Sequence, residues 1–439
     1  MMQVGGIAEW RRVWAASPDG TLARVQQLLA SMSAVNPADR IYTLLLDRRA
    51  QQRVRALQQQ GTHVAPWPLA GVPVAIKDNV DIAGYPTSCG SVALARPAVS
   101  SDADIVSALD AMGAIVIGKT NMDEAALGAS GRNEHFGRCT NPRDRQLLSG
   151  GSSSGSAAAV AAGQVPLGIG TDTLGSVRIP AALCRVVGFK PTHGLLPGGG
   201  VVPVYPSFDS VGLLTGSLAD AAYALRALCP LQRASTPTPT PPTRAVRLLC
   251  LTDAHLVQAD ASTAADYRRC IDALGNLAAI DRQWFPAFDF MAASRAALWQ
   301  VASTFASGMA PERQLGSLLP QLGVELAQVL ERALSMSGQR LDAGRHELDS
   351  AARALCTALL DADALLTPTC PVDSVHSRDA LPKAISAFVA PANIAGLPAV
   401  SWPQALSGNR HISLQLIGRA GDDLHLLDIA QQIRAALAD

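Results

Sequence analysis

Charge is scarce in this sequence, and neither sign dominates. Charged residues are 16% of the 439, and 36 basic side chains balance 36 acidic ones. With no basic block there is no electrostatic footprint for nucleic acid or an anionic membrane. The expected partner is a small, weakly charged molecule. Long apolar runs are missing too: nothing approaches the roughly 18 residues that span a bilayer. Met1 to Gly20 carries Trp10, Arg11, Arg12 and Trp14 but no signal-peptide core, so the expected location is the cytoplasm. The eight cysteines (Cys89, Cys139, Cys184, Cys229, Cys250, Cys270, Cys356, Cys370) are scattered, mostly among apolar neighbours. They read as reduced core thiols. Repeats of fixed period are absent. Apolar residues, by contrast, make up 48% of the chain, the composition of a compact globular protein.

Two common routes to phosphate or hydrolytic chemistry are also missing. No Gly-Lys-Ser/Thr closes a Walker loop, and no Gly-x-Ser-x-Gly marks the nucleophile elbow of an α/β-hydrolase. His63, His135, His193, His255, His346, His376, His411 and His425 stand isolated, without catalytic or metal-ligand spacing. A surface or core role is the expectation for each, and neither metal nor cofactor is called for.

The hydrophobic pattern alternates between strand and helix. Helices are expected over Thr21 to Met32 and Pro37 to Gln60, packing outside a sheet. Gly71 to Lys77 (Gly-Val-Pro-Val-Ala-Ile-Lys) is too short for a helix and reads as a buried strand ending at a lysine. Asp104 to Met112 has helical spacing, closed by Gly113 before a strand from Ala114 to Ile117. The Pro/Thr-rich stretch 231–244 cannot enter a helix or central strand and reads as a surface loop. Beyond it come a strand (Val246 to Leu251), a helix (Ser262 to Leu277) and a strand (Ile280 to Phe285). Helices over Leu318 to Leu334 and Leu341 to Leu360 follow, then strands at Ala364 to Thr367 and His411 to Ile417. Continued alternation across the connector favours one α/β domain over residues 1–439, with segment 1–64 packed on it.

Between Gly150 and Thr192 small residues take over. Ser149 to Ser156 is a Gly/Ser loop that runs into an alanine-rich helix. A loop feeding a helix start gathers backbone N–H groups that suit an anion or a developing oxyanion; it equally suits a tight turn with a capping serine. Gly170 to Pro180 places Ser176 directly after Gly175 at a sharp turn. The amides of Leu174, Gly175 and Ser176 there face one small space, as an oxyanion hole requires. A serine hydroxyl is a poor nucleophile without a base. In the absence of a paired histidine, lysine is the next candidate. Lys77 closes an apolar strand, where desolvation lowers an ammonium's pKa, although a solvated strand end is the commoner fate of such a residue.

Together these segments resemble the amidase signature family. The family pattern appears in Gly71 to Asp78, Gly150 to Ser156 and Gly170 to Arg178, and again in Gly113 to Met122, Val187 to Thr192, Leu366 to Pro371 and Pro391 to Pro398. The match covers roughly residues 65–435. It implies one large domain, a central mixed β-sheet covered by helices on both faces. It also implies a catalytic lysine at Lys77, a bridging serine at Ser152 after a cis Gly151–Ser152 bond, and a nucleophile at Ser176. The amides of Thr173, Leu174, Gly175 and Ser176 would form the oxyanion hole; Ser153, Ser154, Asp172 and Arg178 would support the loops. Three departures stand out. Ser154 replaces a glycine, as in malonamidase-like and allophanate-hydrolase-like members. Leu174 replaces a glycine beside the nucleophile, so its side chain is expected to re-shape the acyl pocket unless it points into the core. Ser386 to Ala390 lacks the family's tyrosine-containing stretch.

The activity so implied is hydrolysis of a small linear carboxamide, or a urea-derived amide, through an acyl-Ser176 intermediate. The substrate would be a small-molecule amide, with no nucleic acid and no membrane as partner; a homodimer is left open. Two other readings fit the same residues: the glutamine-hydrolysing A subunit of a tRNA-dependent amidotransferase, and a binding protein that keeps the fold without the chemistry.

Overall fold

A computed structural model describes residues 5–60, 67–229, 245–313, 315–406 and 410–438. Its centre is an eleven-stranded mixed sheet in the order β1-β3-β2-β4-β6-β5-β10-β11-β9-β7-β8. The strands are β1 (Tyr42–Leu45), β2 (Pro73–Lys77), β3 (Ile115–Thr120), β4 (Leu167–Asp172), β5 (Val187–Lys190), β6 (Ser210–Thr215), β7 (Val246–Cys250), β8 (Ile280–Trp284), β9 (Ala364–Pro368), β10 (Ala399–Ala405) and β11 (His411–Gly418). Parallel pairs β3/β2, β2/β4, β9/β7 and β7/β8 flank an antiparallel middle. Every residue of β2, β3, β4, β5, β6 and β9 is buried. Successive strand side chains point to opposite faces, so both faces of these strands must be covered. One continuous apolar core joins the sheet to the helices around it.

At the start of the chain lie α1 (Ile7–Ala16), α2 (Pro18–Asp39) and α3 (Asp47–Gln60). The continuous helix expected over 37–60 is interrupted. Helix α2 ends at Arg40, which is left-handed (φ 55), and Asn36 brackets Tyr42 by accepting from its N–H at 2.8 Å and donating to its carbonyl at 3.0 Å. The apolar run Ile41 to Leu46 then serves as an edge strand against β3. Buried Trp10, Val25, Leu29, Val54 and Leu57 fix the three helices to the core. The expected helix 318–334 begins only at Val324, because Pro320 and Gly323 interrupt it, leaving a short 3-10 turn before. Of the eight free cysteines seven are buried; Cys356 is exposed, on the outer side of helix Gly338–Ala358. The Pro/Thr-rich stretch 231–244 lies outside the described residues.

The remaining helices that concern the site are α4 (Asp104–Ala111), α5 (Ser154–Ala161), α6 (Arg178–Cys184) and α7 (Leu218–Leu228). Strands β2 and β4 run parallel and adjacent, with Ile76 opposite Ile169. Their carboxyl ends therefore deliver Lys77 and Asp172 to the same edge of the sheet, where α/β folds place their ligand sites.

Candidate active site

Lys77 is fully buried at the end of β2. Its Nζ donates to Ser152 Oγ at 2.7 Å, to Thr171 Oγ1 at 2.8 Å and more weakly to the Thr171 carbonyl at 3.4 Å. All three partners are neutral. Burial pulls the ammonium down from its usual 10.5 to about 7, against the upward pull of Asp123, Asp172 and Asp209. A cation solvated only by hydroxyl and carbonyl oxygens inside a protein gives up its proton near neutrality. Asn79 Nδ2 donates to Thr171 Oγ1 at 3.1 Å and so fixes the threonine that fixes the lysine.

Ser152 lies in the loop ahead of α5, directly after a cis Gly151–Ser152 peptide bond. Its neighbours are turned elsewhere. Ser153 Oγ donates to the Thr171 carbonyl at 3.2 Å and accepts from the Thr171 N–H at 3.3 Å; Ser154 Oγ donates to the Asn121 carbonyl at 3.3 Å. Of the three consecutive serines, Ser152 is the one that meets Lys77. Asp123 packs over this loop. A Cβ on Gly151 would meet Asp123 Oδ1 at 1.9 Å, so the close approach requires glycine. The carboxylate accepts from the amides of Ser130 (2.8 Å) and Gly131 (2.9 Å), and its own pKa is pushed up by burial to about 6.

Ser176 sits in the turn between β4 and α6. Its carbonyl accepts from the Ser153 N–H at 3.0 Å, which ties the two serine loops together. The Ser176 side chain is almost fully buried, and among the described residues no hydrogen bond joins its hydroxyl to Ser152. The turn is organised by Asp172. One carboxylate oxygen accepts from the Gly175 N–H at 2.7 Å and the other from the Val177 N–H at 3.1 Å. Gly175 has φ 107, and a Cβ there would lie 2.2 Å from Val389. Of the four amides expected to form an oxyanion hole, that of Gly175 already donates to Asp172. Those of Thr173, Leu174 and Ser176 meet no acceptor among the described residues.

Behind the turn Arg178 is completely buried, and all five of its N–H groups are used. It grips Asp172 through Nε (3.0 Å) and Nη2 (2.9 Å), and donates to the Val389 carbonyl, Gln415 Oε1 and Asn393 Oδ1 at 2.8, 2.7 and 2.6 Å. Burial alone would raise the Asp172 carboxyl; the adjacent guanidinium outweighs it and holds the group far below the usual carboxylate range. Asn393 closes the ring by donating to Asp172 Oδ1 at 2.8 Å.

Sequence reasoning brought forward Lys77, Ser152, Ser176, Asp172 and Arg178, and the fold gathers all five at one edge of the sheet. Thr171, Asn79, Asp123, Asn393 and Gln415 were missed. Two signals pointed at some of them: Thr171 and Asn79 lie within two residues of Asp172 and Lys77, and Asn393 lies in the Pro391 to Pro398 segment. Leu174 is half-buried and packs against a small apolar cluster that includes Met122, Ala126, Val204, Phe208 and Val301, separate from the sheet's core. Its side chain therefore does not join the sheet's core.

A buried lysine on a serine, a second serine loop and open backbone amides define an amide-hydrolysing centre on an α/β sheet. Comparison with known proteins gives the family: the model described as Amidase matches residues 23–427, and the chain belongs to this amidase signature family of C–N hydrolases. It is 31% identical over 465 residues to the A subunit of the glutamyl-tRNA(Gln) amidotransferase of Symbiobacterium thermophilum, covering 96% of this chain and 95% of that one. A solved amidase superposes with TM-score 0.85 at 26% identity, covering 98% of this chain and 99% of the other. The allophanate hydrolase of Kluyveromyces lactis superposes at 0.84 with 25% identity, covering 99% of this chain and 73% of that one. No helix among the described residues is long and apolar enough to cross a membrane.

Proposed function

We propose that the protein hydrolyses a small carboxamide through an acyl-Ser176 intermediate, with Lys77 as base and Ser152 as the relay between them. The observation that carries this reading is the 2.7 Å contact of a fully buried lysine, its pKa near 7, with Ser152 Oγ. In the neutral amine Nζ has a lone pair, so Ser152 donates to it and presents its own oxygen to the Ser176 proton. As Ser176 Oγ attacks the carbonyl carbon, its proton passes to Ser152 and the Ser152 proton to Lys77. The carbonyl oxygen becomes an oxyanion that the free amides of Thr173, Leu174 and Ser176 can receive; each such donor is worth about 3 to 4 kcal/mol in other hydrolases. The relay then reverses. The C–N bond breaks, the nitrogen leaves with the returned proton as ammonia or amine, and Ser176 is left as an ester. Water, deprotonated along the same path, releases the carboxylate and restores the hydroxyl. In this reading Ser153, Ser154, Asp172 and Arg178 hold the two loops in register and touch no substrate.

The glutamine-hydrolysing member of an amidotransferase complex is the second reading, favoured by one observation: the 31% identity to such a protein over nearly the whole of both chains. It shares the chemistry at Ser176 and differs in substrate and in its need for partner proteins. Ammonia release by the isolated chain decides between them. Turnover of simple amides without any partner, lost in Ser176→Ala, supports the amidohydrolase; glutamine hydrolysis only in a complex supports the alternative. Release undiminished in Ser176→Ala overturns both.

A further inference from the structure

We infer that Asp209 is a positioning residue for the reaction at Ser176: it holds the Thr173 hydroxyl, and with it the Thr173 amide of the oxyanion hole, and its charge steadies the ammonium that forms on Lys77. The inference rests on the amidohydrolase reading above. Strand pairing brings the two side chains together. Strands β4 and β6 run antiparallel, with Thr171 opposite Val211 and Asp172 opposite Ser210, so one residue further along Thr173 comes opposite Asp209. Residues directly opposite in such a pair lie side by side on the same face. The contact is made: Thr173 Oγ1 donates to Asp209 Oδ1 at 2.6 Å, the short separation typical of a hydroxyl on a charged carboxylate.

The second carboxylate oxygen anchors Asp209 itself. Oδ2 accepts from the Val204 N–H at 2.8 Å and the Tyr205 N–H at 3.0 Å, and the Asp209 N–H donates to the Tyr205 carbonyl at 3.0 Å. The turn that carries Ser176 is thus held from two sides. Asp172 fixes its later half through the amides of Gly175 and Val177, while Asp209 fixes Thr173 at its start. With the Gly175 amide engaged, Thr173 supplies one of the three amides left to receive the oxyanion, and a misplacement of about 1 Å at a reacting centre can cost about 100-fold in rate. The charge of Asp209 reaches Lys77 as well. Burial pulls that ammonium down, and Asp123, Asp172, Asp209 and Cys89 pull it up; the Cys89 thiol, pushed up to about 12, stays neutral. Asp209 makes no hydrogen bond to Nζ, whose partners are Ser152 and Thr171, so its charge can be removed with those contacts in place.

The test is labelling of the full chain by a fluorophosphonate, which draws on the same nucleophile and oxyanion donors whatever the natural amide, read as kinact and KI across a pH series. Thr173→Val removes the hydroxyl and keeps the backbone amide; it is expected to lower kinact about 10-fold, with KI within about 2-fold and the pH midpoint unmoved. Thr173→Ser keeps the hydroxyl and is expected to restore the rate. Asp209→Asn is expected to lower kinact by a similar factor and, unlike Thr173→Val, to move the pH midpoint downward, because a carboxylate that favours the ammonium is gone. Since both act through one contact, the double variant is expected within about 3-fold of the slower single variant, not about 100-fold below wild type. Unchanged kinact in Thr173→Val, losses that multiply in the double variant, or an unmoved midpoint in Asp209→Asn overturns the inference. Labelling that persists in Ser176→Ala instead overturns the reading beneath it.

Discussion

Two buried cations lie within one site, and they have opposite surroundings. Arg178 has a carboxylate across two of its N–H groups and acceptors on the other three. Lys77, equally buried, has only hydroxyl and carbonyl oxygens within reach of its ammonium. Burial is common to both; the charge of the nearest partner is not. A paired guanidinium is a fixed strut, whereas an ammonium among neutral oxygens is held near 7 and can exchange a proton. In the proposed mechanism this difference is what lets a lysine, with no histidine, serve as the base. It also explains why the residue behind the Ser176 turn is an arginine: a group that must never titrate belongs there.

Breaking the chemistry while sparing the scaffold should have the largest effect. Ser176→Ala is expected to lower kcat by at least about 10⁴-fold, read as ammonia release under single-turnover conditions, with an unchanged circular dichroism spectrum. Lys77→Arg keeps the charge and forbids its loss, so a drop of about 10³-fold is expected; activity within 10-fold of wild type would show that Lys77 is a strut after all. On the other side of the comparison, Arg178→Met leaves Asp172 buried without its partner and should cost about 3 to 5 kcal/mol in denaturant unfolding. A loss under 1 kcal/mol would mean the ion pair braces nothing. Thr171→Val removes one of the two hydroxyl acceptors on Lys77, and a change of about 10-fold in kcat/KM is expected, accompanied by a moved pH profile.

The smallest of these effects is a slope in stability. Lys77 binds its proton less tightly in the folded chain than in the unfolded one. Below about pH 7 the fold holds a charged, buried ammonium and the penalty is fully present; it is relieved as pH rises from about 7 toward 10.5. Lys190 is also buried and lowered to about 7, so wild type carries both contributions. Chemical unfolding at several pH values should show a smaller rise across this window in Lys77→Met than in wild type.

The nucleophile side of the site was readable because its parts are short and local. Gly175 and Ser176 stand together in one turn, and Lys77 ends a run of apolar residues that only a buried strand explains. What ties them was not. Asn393 and Gln415 lie more than 200 residues from Asp172 and Arg178 and contribute single polar side chains, for which no periodicity exists. That the Gly175 amide is engaged by a side chain three residues back was hidden for the same reason. Among the strands, β1 was hidden between two strongly helical segments. Pro403 disguised β10, where β5 pairs only as far as Ser401 and the strand beyond has a single neighbour, a position that tolerates a missing N–H. The cluster around Leu174 is drawn from loops and helices far apart in the chain, so its apolar character emerged only from the fold.

The central claim is that a neutral Lys77 activates Ser176 through Ser152, and its most direct measurement is the pH dependence of covalent labelling by a fluorophosphonate. The rate constant should rise with pH through a single midpoint near 7, the adduct should map to Ser176, and Lys77→Arg should abolish the rise. A rate independent of pH between 5 and 9, or an adduct on another residue, would contradict it.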